Sequence, residues 1–351
     1  MELLQQTLQQ IQAVDQDMMV KARERVDALS KPPQSLGKLE SLAVQLSGIT
    51  GELFPNIDQK AMIVMAGDHG VYEEGVTNNP QNVTVFQTLS FPKGLTGVCA
   101  IAKITNAKVV TVDVGVKEDL PTDAGVLIKK VKYGTDNMAK GPAMTREEAI
   151  RSIEVGIEVA TEQIKNGINL LGTGEMGIGN TTPSAAILSV IHNCDPLKVT
   201  GFGAGVGAGG IEYKAEVIRK AIALNKPNPQ DPIDVLAKVG GLEIGGMAGV
   251  ILAAAANRVP VVIDGYISTI AALIAYKLEP NVKEYIIPSH MSEEPGAKIA
   301  AQLLDIEPML QMNMRLGEGS GAALAFPILD AACSMMKNMA TLEESTLLLS
   351  K

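Results

Sequence analysis

The chain of 351 residues has no tryptophan, and aromatic side chains make up only 3% of it. That scarcity excludes the stacking platforms on which proteins lay out unpaired nucleic-acid bases. Its 30 Lys and Arg are outnumbered by 39 Asp and Glu, for a net charge of −9, so no basic surplus awaits a phosphate backbone. No apolar run approaches the roughly 20 residues that cross a bilayer. The opening Met1-Glu2-Leu3-Leu4-Gln5-Gln6 lacks the basic-then-apolar order of an export signal, so a cytoplasmic protein without nucleic-acid or membrane partners is expected. Cysteines number three, and Cys99, Cys194 and Cys333 lie far apart in apolar surroundings. They read as reduced core residues rather than disulfides or a zinc site. The three histidines, His69, His192 and His290, are not at ligand spacing. Each reads as structural, and neither a metal nor another cofactor is expected.

What is present is apolar and periodic. At 46% hydrophobic and 20% charged, the chain can bury a large core. Short β-branched runs at Ala61–Met65, Lys108–Val114, Val126–Val131, Ile168–Leu171, Val259–Ile263 and Glu284–Ile287 read as strands. Helical patterns separate most of them, at about 85–104, 146–165, 183–192, 212–223, 243–256, 267–277 and 293–304, with Thr145-Arg146-Glu147-Glu148 as a capping box. Such alternation implies an α/β fold, a mostly parallel, Rossmann-like sheet with helices on both faces. A helix over residues 1–30 ends at Lys31-Pro32-Pro33, and another runs over 36–49 with Ser35 as its cap. With the helical tail, these predict a small helical domain from 1–55 and 321–351 beside an α/β domain over 56–320.

Open parallel sheets bind ligands beyond their carboxyl edges. Polar clusters follow four of the strands: Ala66-Gly67-Asp68-His69-Gly70-Val71, the segment 172–182, Asp264-Gly265-Tyr266, and Pro288-Ser289-His290-Met291-Ser292. In 172–182, Gly172, Gly174 and Gly177 have dinucleotide-loop spacing, which keeps a nicotinamide-dependent oxidoreductase open. Asn180-Thr181-Thr182-Pro183 interrupts that pattern and predicts a helix start near Pro183, capped by Thr181 or Thr182. Such a loop suits a phosphate monoester, and Glu175 within it is then costly without a task. The glycine run 201–210 precedes a helix bearing Lys214. Together they read either as an anion cradle with one added charge or as a linker beside a surface lysine.

Arg315-Leu316-Gly317-Glu318-Gly319-Ser320-Gly321 places one carboxylate between glycines, ahead of a long apolar helix. Glycines let a ligand come close, and the helix start would keep the acid ionised, which suits a general base. The same pattern also suits a plain helix-leading glutamate. Gly319-Ser320-Gly321 lacks the leading residues of a nucleophile elbow, which disfavours a serine hydrolase.

Lys31-Pro32-Pro33-Gln34-Ser35-Leu36-Gly37, the 66–71 and 174–182 segments, Lys238-Val239-Gly240-Gly241, Ser289-His290-Met291-Ser292 and 315–321 together resemble one family in the same order. It is the nicotinate-nucleotide:dimethylbenzimidazole phosphoribosyltransferases of cobamide lower-ligand synthesis, and the likeness spans about residues 20–345. The resemblance implies a dimeric enzyme with no required metal. It would move 5-phosphoribosyl from nicotinate mononucleotide to dimethylbenzimidazole or another aromatic base, giving an α-riboside phosphate and nicotinate. It makes Glu318 the general base and Glu175 the acid of the phosphoribosyl loop, which also holds Gly174, Gly177, Asn180 and Thr181. It assigns Lys214 to phosphate, Asn79 and Gln87 to the base pocket, and Gly203, Leu316 and Gly317 to substrate contact. Two departures stand out: the 201–210 run is richer in glycine than in many members, and Asn79 replaces the serine of some. Some relatives activate phenols such as p-cresol, in part as pairs of unlike subunits, so a homodimer is expected and a heterodimer with a paralogous subunit is the alternative.

Overall fold

The computed structural model describes residues 2–349. Six strands form one sheet: β1 (Lys60–Gly67), β2 (Lys108–Gly115), β3 (Leu127–Ile128), β4 (Leu170–Met176), β5 (Val261–Ile263) and β6 (Ile286–Pro288). All pairs are parallel and the order is β3-β2-β1-β4-β5-β6. This is the doubly wound order in which the chain reverses direction between β1 and β4, opening a crevice at their carboxyl ends.

Side chains alternate across β1 and build two cores. Ala61, Ile63 and Met65 face a core shared with helices Arg146–Lys165 and Leu242–Ala256. Those helices touch closely, since a Cβ on Gly156 or Gly249 would strike the opposing backbone. Met62 and Val64 face a second core, which holds apolar residues of helices Gln16–Ala28, Lys38–Thr50 and Ser320–Asn338. The Arg25 guanidinium ties the two ends of the chain together by donating to the Met336 and Met339 carbonyls, at 3.2 and 2.8 Å. The helix Glu2–Gln10 lies on the opposite face, its Leu4 in the first core. Among the described residues, no helix is long and apolar enough to cross a membrane.

Several elements differ from the sequence expectation. The first helix is two, because the Asp15 carboxylate accepts from Met18 N and caps a new start at Gln16. The next begins at Lys38 with Gly37, not Ser35, at its cap. The 85–104 helix is broken: it runs Val83–Ser90, yields at Pro92 and Gly94, and resumes at Gly97–Ala102. Only Leu127–Ile128 of the third run pairs as a strand. β4 continues to Met176, through what reads as loop in the sequence. Helix Pro232–Val239 has a cap in Asp231 and a first-turn proline, a legible signal the strand–helix pattern passes over. The Thr145–Glu148 capping box is present.

Candidate active site

Beyond the ends of β4, β5 and β6 lies a cavity of about 260 Å³. Of the residues singled out in the sequence, Asn79, Gln87, Glu175, Gly177, Asn180, Thr181, Gly203, Leu316, Gly317 and Glu318 line it. Gly174 and Lys214 stand just behind the wall.

Glu318 has φ 64, flanked by Gly317 at φ 85 and Gly319 at φ 93. The side chain is 5% exposed. Its own helix begins only at Ser320, so that helix does not supply the expected N–H partners. They come from the break in the 85–104 segment, where Val98 N donates to Glu318 Oε2 at 3.1 Å. Burial raises the Glu318 carboxyl above the ordinary carboxylate range, Asp264 adds to this, and the Val98 and Gly97 N–H groups oppose it.

Glu175, near the end of β4, accepts from the Asn180 side-chain amide and, through Oε1, from Glu318 N at 3.3 Å. The two acids are thus joined through the backbone of one and the carboxyl of the other. Burial pushes Glu175 up to about 8, with the Asp264 and Glu243 charges adding to it. Burial thus favours the protonated form of Glu175.

Gly172 and Gly174 lie inside β4 and make no phosphate-binding turn. A Cβ on Gly172 would strike Met62, and one on Gly174 would strike the Glu318 backbone, so these glycines serve packing. The helix predicted near Pro183 begins at Thr181 with Asn180 at its cap position, and neither threonine caps it. Instead Thr181 Oγ1 accepts from Lys214 Nζ at 2.7 Å. Lys214 is 2% exposed and also donates to the Gly201 carbonyl, so it is no surface lysine. Burial lowers its ammonium to about 8.

The glycine run is no linker either. Gly203 N donates to Glu294 Oε1 at 2.8 Å, and the Gly203 carbonyl accepts from Arg315 at 3.0 Å. The Asn79 amide donates to the Ala204 carbonyl at 2.9 Å, which turns it toward this loop. Asp264, His290, Glu294 and Arg315 are among the further residues that line the cavity. Asp264 and His290 stand in strand-end clusters that the sequence marks as polar, yet nothing there distinguishes them from their neighbours. Glu294 carries no local signal, and Arg315 heads the 315–321 motif without any sign of its task, because their partners lie about 90 and 110 residues away in sequence. His69 lies outside the cavity, its Nε2 3.0 Å from Glu243 Oε1 in a buried pair. Among the described residues, no group of three or more His, Cys, Asp or Glu could hold a metal ion, and the cysteines are free.

The chain and its fold have close counterparts among known proteins. A family model described as phosphoribosyltransferase matches residues 11–347. The chain is 64% identical over 345 residues to a nicotinate-nucleotide–dimethylbenzimidazole phosphoribosyltransferase of Alkaliphilus metalliredigens, covering 98% of this chain and 99% of that one. Against the enzyme of the same name from Clostridioides difficile it is 55% identical over 344 residues, covering 98% and 99%. The crystal structure of CobT from Thermus thermophilus superposes with a TM-score of 0.90 at 40% identity, over 94% of this chain and 98% of that one. The chain belongs to the nicotinate-nucleotide–dimethylbenzimidazole phosphoribosyltransferase family.

Proposed function

We propose that this protein transfers the 5-phosphoribosyl group of nicotinate mononucleotide to 5,6-dimethylbenzimidazole, releasing nicotinate and forming the α-riboside phosphate of a cobamide lower ligand. The observation that carries the site assignment is the Glu318 carboxyl, buried in the strand-edge cavity beside Glu175 and the 177–181 loop.

One ring nitrogen of the acceptor attacks C1′ of the ribose, and the C1′–N bond to the pyridinium breaks. The bonding pair returns to the pyridine ring, whose positive charge is lost, so departure needs no acid. The acceptor's other N–H gives its proton to Glu318, whose raised proton affinity fits it for that task. General-base assistance of this kind is worth about 10²–10⁴ in rate. Attack opposite the leaving group converts the β linkage to α.

Asn79 and Gln87 sit where the acceptor base would lie, and Leu316 and Gly317 close over it. The phosphate is assigned to the wall formed by Thr181 and Gly203, with Lys214 behind it. The uncapped start of the helix Thr181–His192 supports this, as does a lysine whose burial-lowered proton affinity a bound dianion would raise. Glu175 would give up its proton when the cationic pyridinium riboside binds, leaving an anion to steady positive charge on the ribose. The protein is proposed to act in the cytoplasm as a homodimer, in keeping with its free cysteines and with the exposed Phe86, Leu95 and Leu316.

The test is nicotinate release by the purified chain given nicotinate mononucleotide and, separately, dimethylbenzimidazole, adenine and p-cresol. Turnover with dimethylbenzimidazole is expected. Turnover with p-cresol alone would move the enzyme to the phenolic branch, and silence with every base would contradict independent activity.

A further inference from the structure

Three consecutive residues, Gly317, Glu318 and Gly319, stand in the left-handed region. A glutamate is strained in that conformation, so contacts from outside the turn must hold it. Asp264, the first residue beyond β5, supplies them. Its Oδ2 accepts from Gly319 N at 3.1 Å, and its Oδ1 accepts from Gly321 N at 2.8 Å and Ala322 N at 3.3 Å. One carboxylate, 4% exposed, thus satisfies free N–H groups of both the turn and the helix after it. His290 Nδ1 stands 3.7 Å from Oδ1. The fit requires glycine at 321, where a Cβ would strike His290 and lie 2.9 Å from Asp264 Oδ1.

We propose that Asp264 is a positioning residue for the transfer, its buried carboxylate clamping the left-handed turn that aims Glu318 into the cavity. This rests on the reading of Glu318 as the base. Burial raises the Asp264 carboxyl too, against His290 and the N–H groups it accepts from, and where it is ionised its charge makes Glu318 harder to deprotonate, in the same direction as burial. Glu175 from β4 and His290 from beyond β6 share that cavity, and the Gly97 and Val98 N–H groups oppose the shift.

Asp264→Asn keeps the shape but loses the charge and one acceptor. Its kcat should fall on the order of 10²-fold, as expected for a misaimed catalytic group. KM for nicotinate mononucleotide should stay within a few-fold of the parent. The acid limb of its kcat profile should move to lower pH, because removing an anion eases deprotonation of Glu318. An unchanged kcat with an unmoved limb would overturn the proposal. So would a variant that does not fold, which would make Asp264 a folding residue only. A crystal structure of Asp264→Ala gives a readout independent of activity. A relaxed φ at 318, with the carboxylate off Val98 N, supports the clamp, and an undisturbed turn refutes it. Should the parent enzyme itself transfer nothing, the functional reading fails while this structural test still decides the clamp.

Discussion

Gly174 of β4 lies directly beneath Glu318: a methyl group on its Cα would strike the Glu318 carbonyl and come within 3.1 Å of Gly319 N. The sheet is therefore the floor on which the proposed base rests, and the absence of a side chain at 174 sets the depth of Glu318. Gly174→Ala should destabilise the fold by about 1–3 kcal/mol, as overpacking against backbone does. It should also lower kcat more than it raises KM, since the displaced group acts on chemistry rather than binding. Thermal melting with steady-state kinetics checks both.

Glu175 makes a prediction about stability and pH. Its carboxyl is raised from the ordinary 4.5 to about 8 in the folded protein, chiefly by burial. Between those values the folded state keeps a proton that the unfolded chain has released, so stability falls as pH rises through that window. Glu175→Gln removes this dependence. The variant should gain in melting temperature relative to the parent as pH goes from 5 to 9, and a constant difference would contradict the assignment.

Lys214 makes one about binding. With its ammonium lowered to about 8 by burial, a bound phosphate dianion should draw a proton back onto it. Calorimetry of nicotinate mononucleotide binding to Glu175→Gln at pH 8, in buffers of different ionisation enthalpy, should register proton uptake, which in the parent the proton given up by Glu175 would offset. Lys214→Met should reduce that uptake and raise KM for the nucleotide at least about tenfold, the loss of one charge-assisted hydrogen bond.

The sheet was legible because buried parallel strands are written as unbroken apolar runs, and all eight residues of β1 are buried. The 315–321 motif and the 174–182 segment were legible because polar residues between glycines are conspicuous in so apolar a chain. What could not be read was anything set by tertiary contact. Gly172 and Gly174 carry a loop-like spacing yet lie in a strand, since their cause is the approach of Met62 and Glu318. The 85–104 segment reads as one helix despite Pro92, and nothing local tells that a break there delivers Val98 N to a carboxylate 220 residues away. Asp264 looks like any strand-end acid until the Gly319 and Gly321 N–H groups are seen upon it. Glu318 itself reads as the head of its own helix and is served by the start of another, Gly97–Ala102.

The most direct measurement is turnover by Glu318→Gln with dimethylbenzimidazole, beside its affinity for nicotinate mononucleotide. The substitution keeps size and a hydrogen-bonding carbonyl but cannot take a proton. The account predicts a kcat lower by about 10²–10⁴, with nucleotide affinity and melting temperature close to the parent's. A variant that turns over at the parental rate would contradict it.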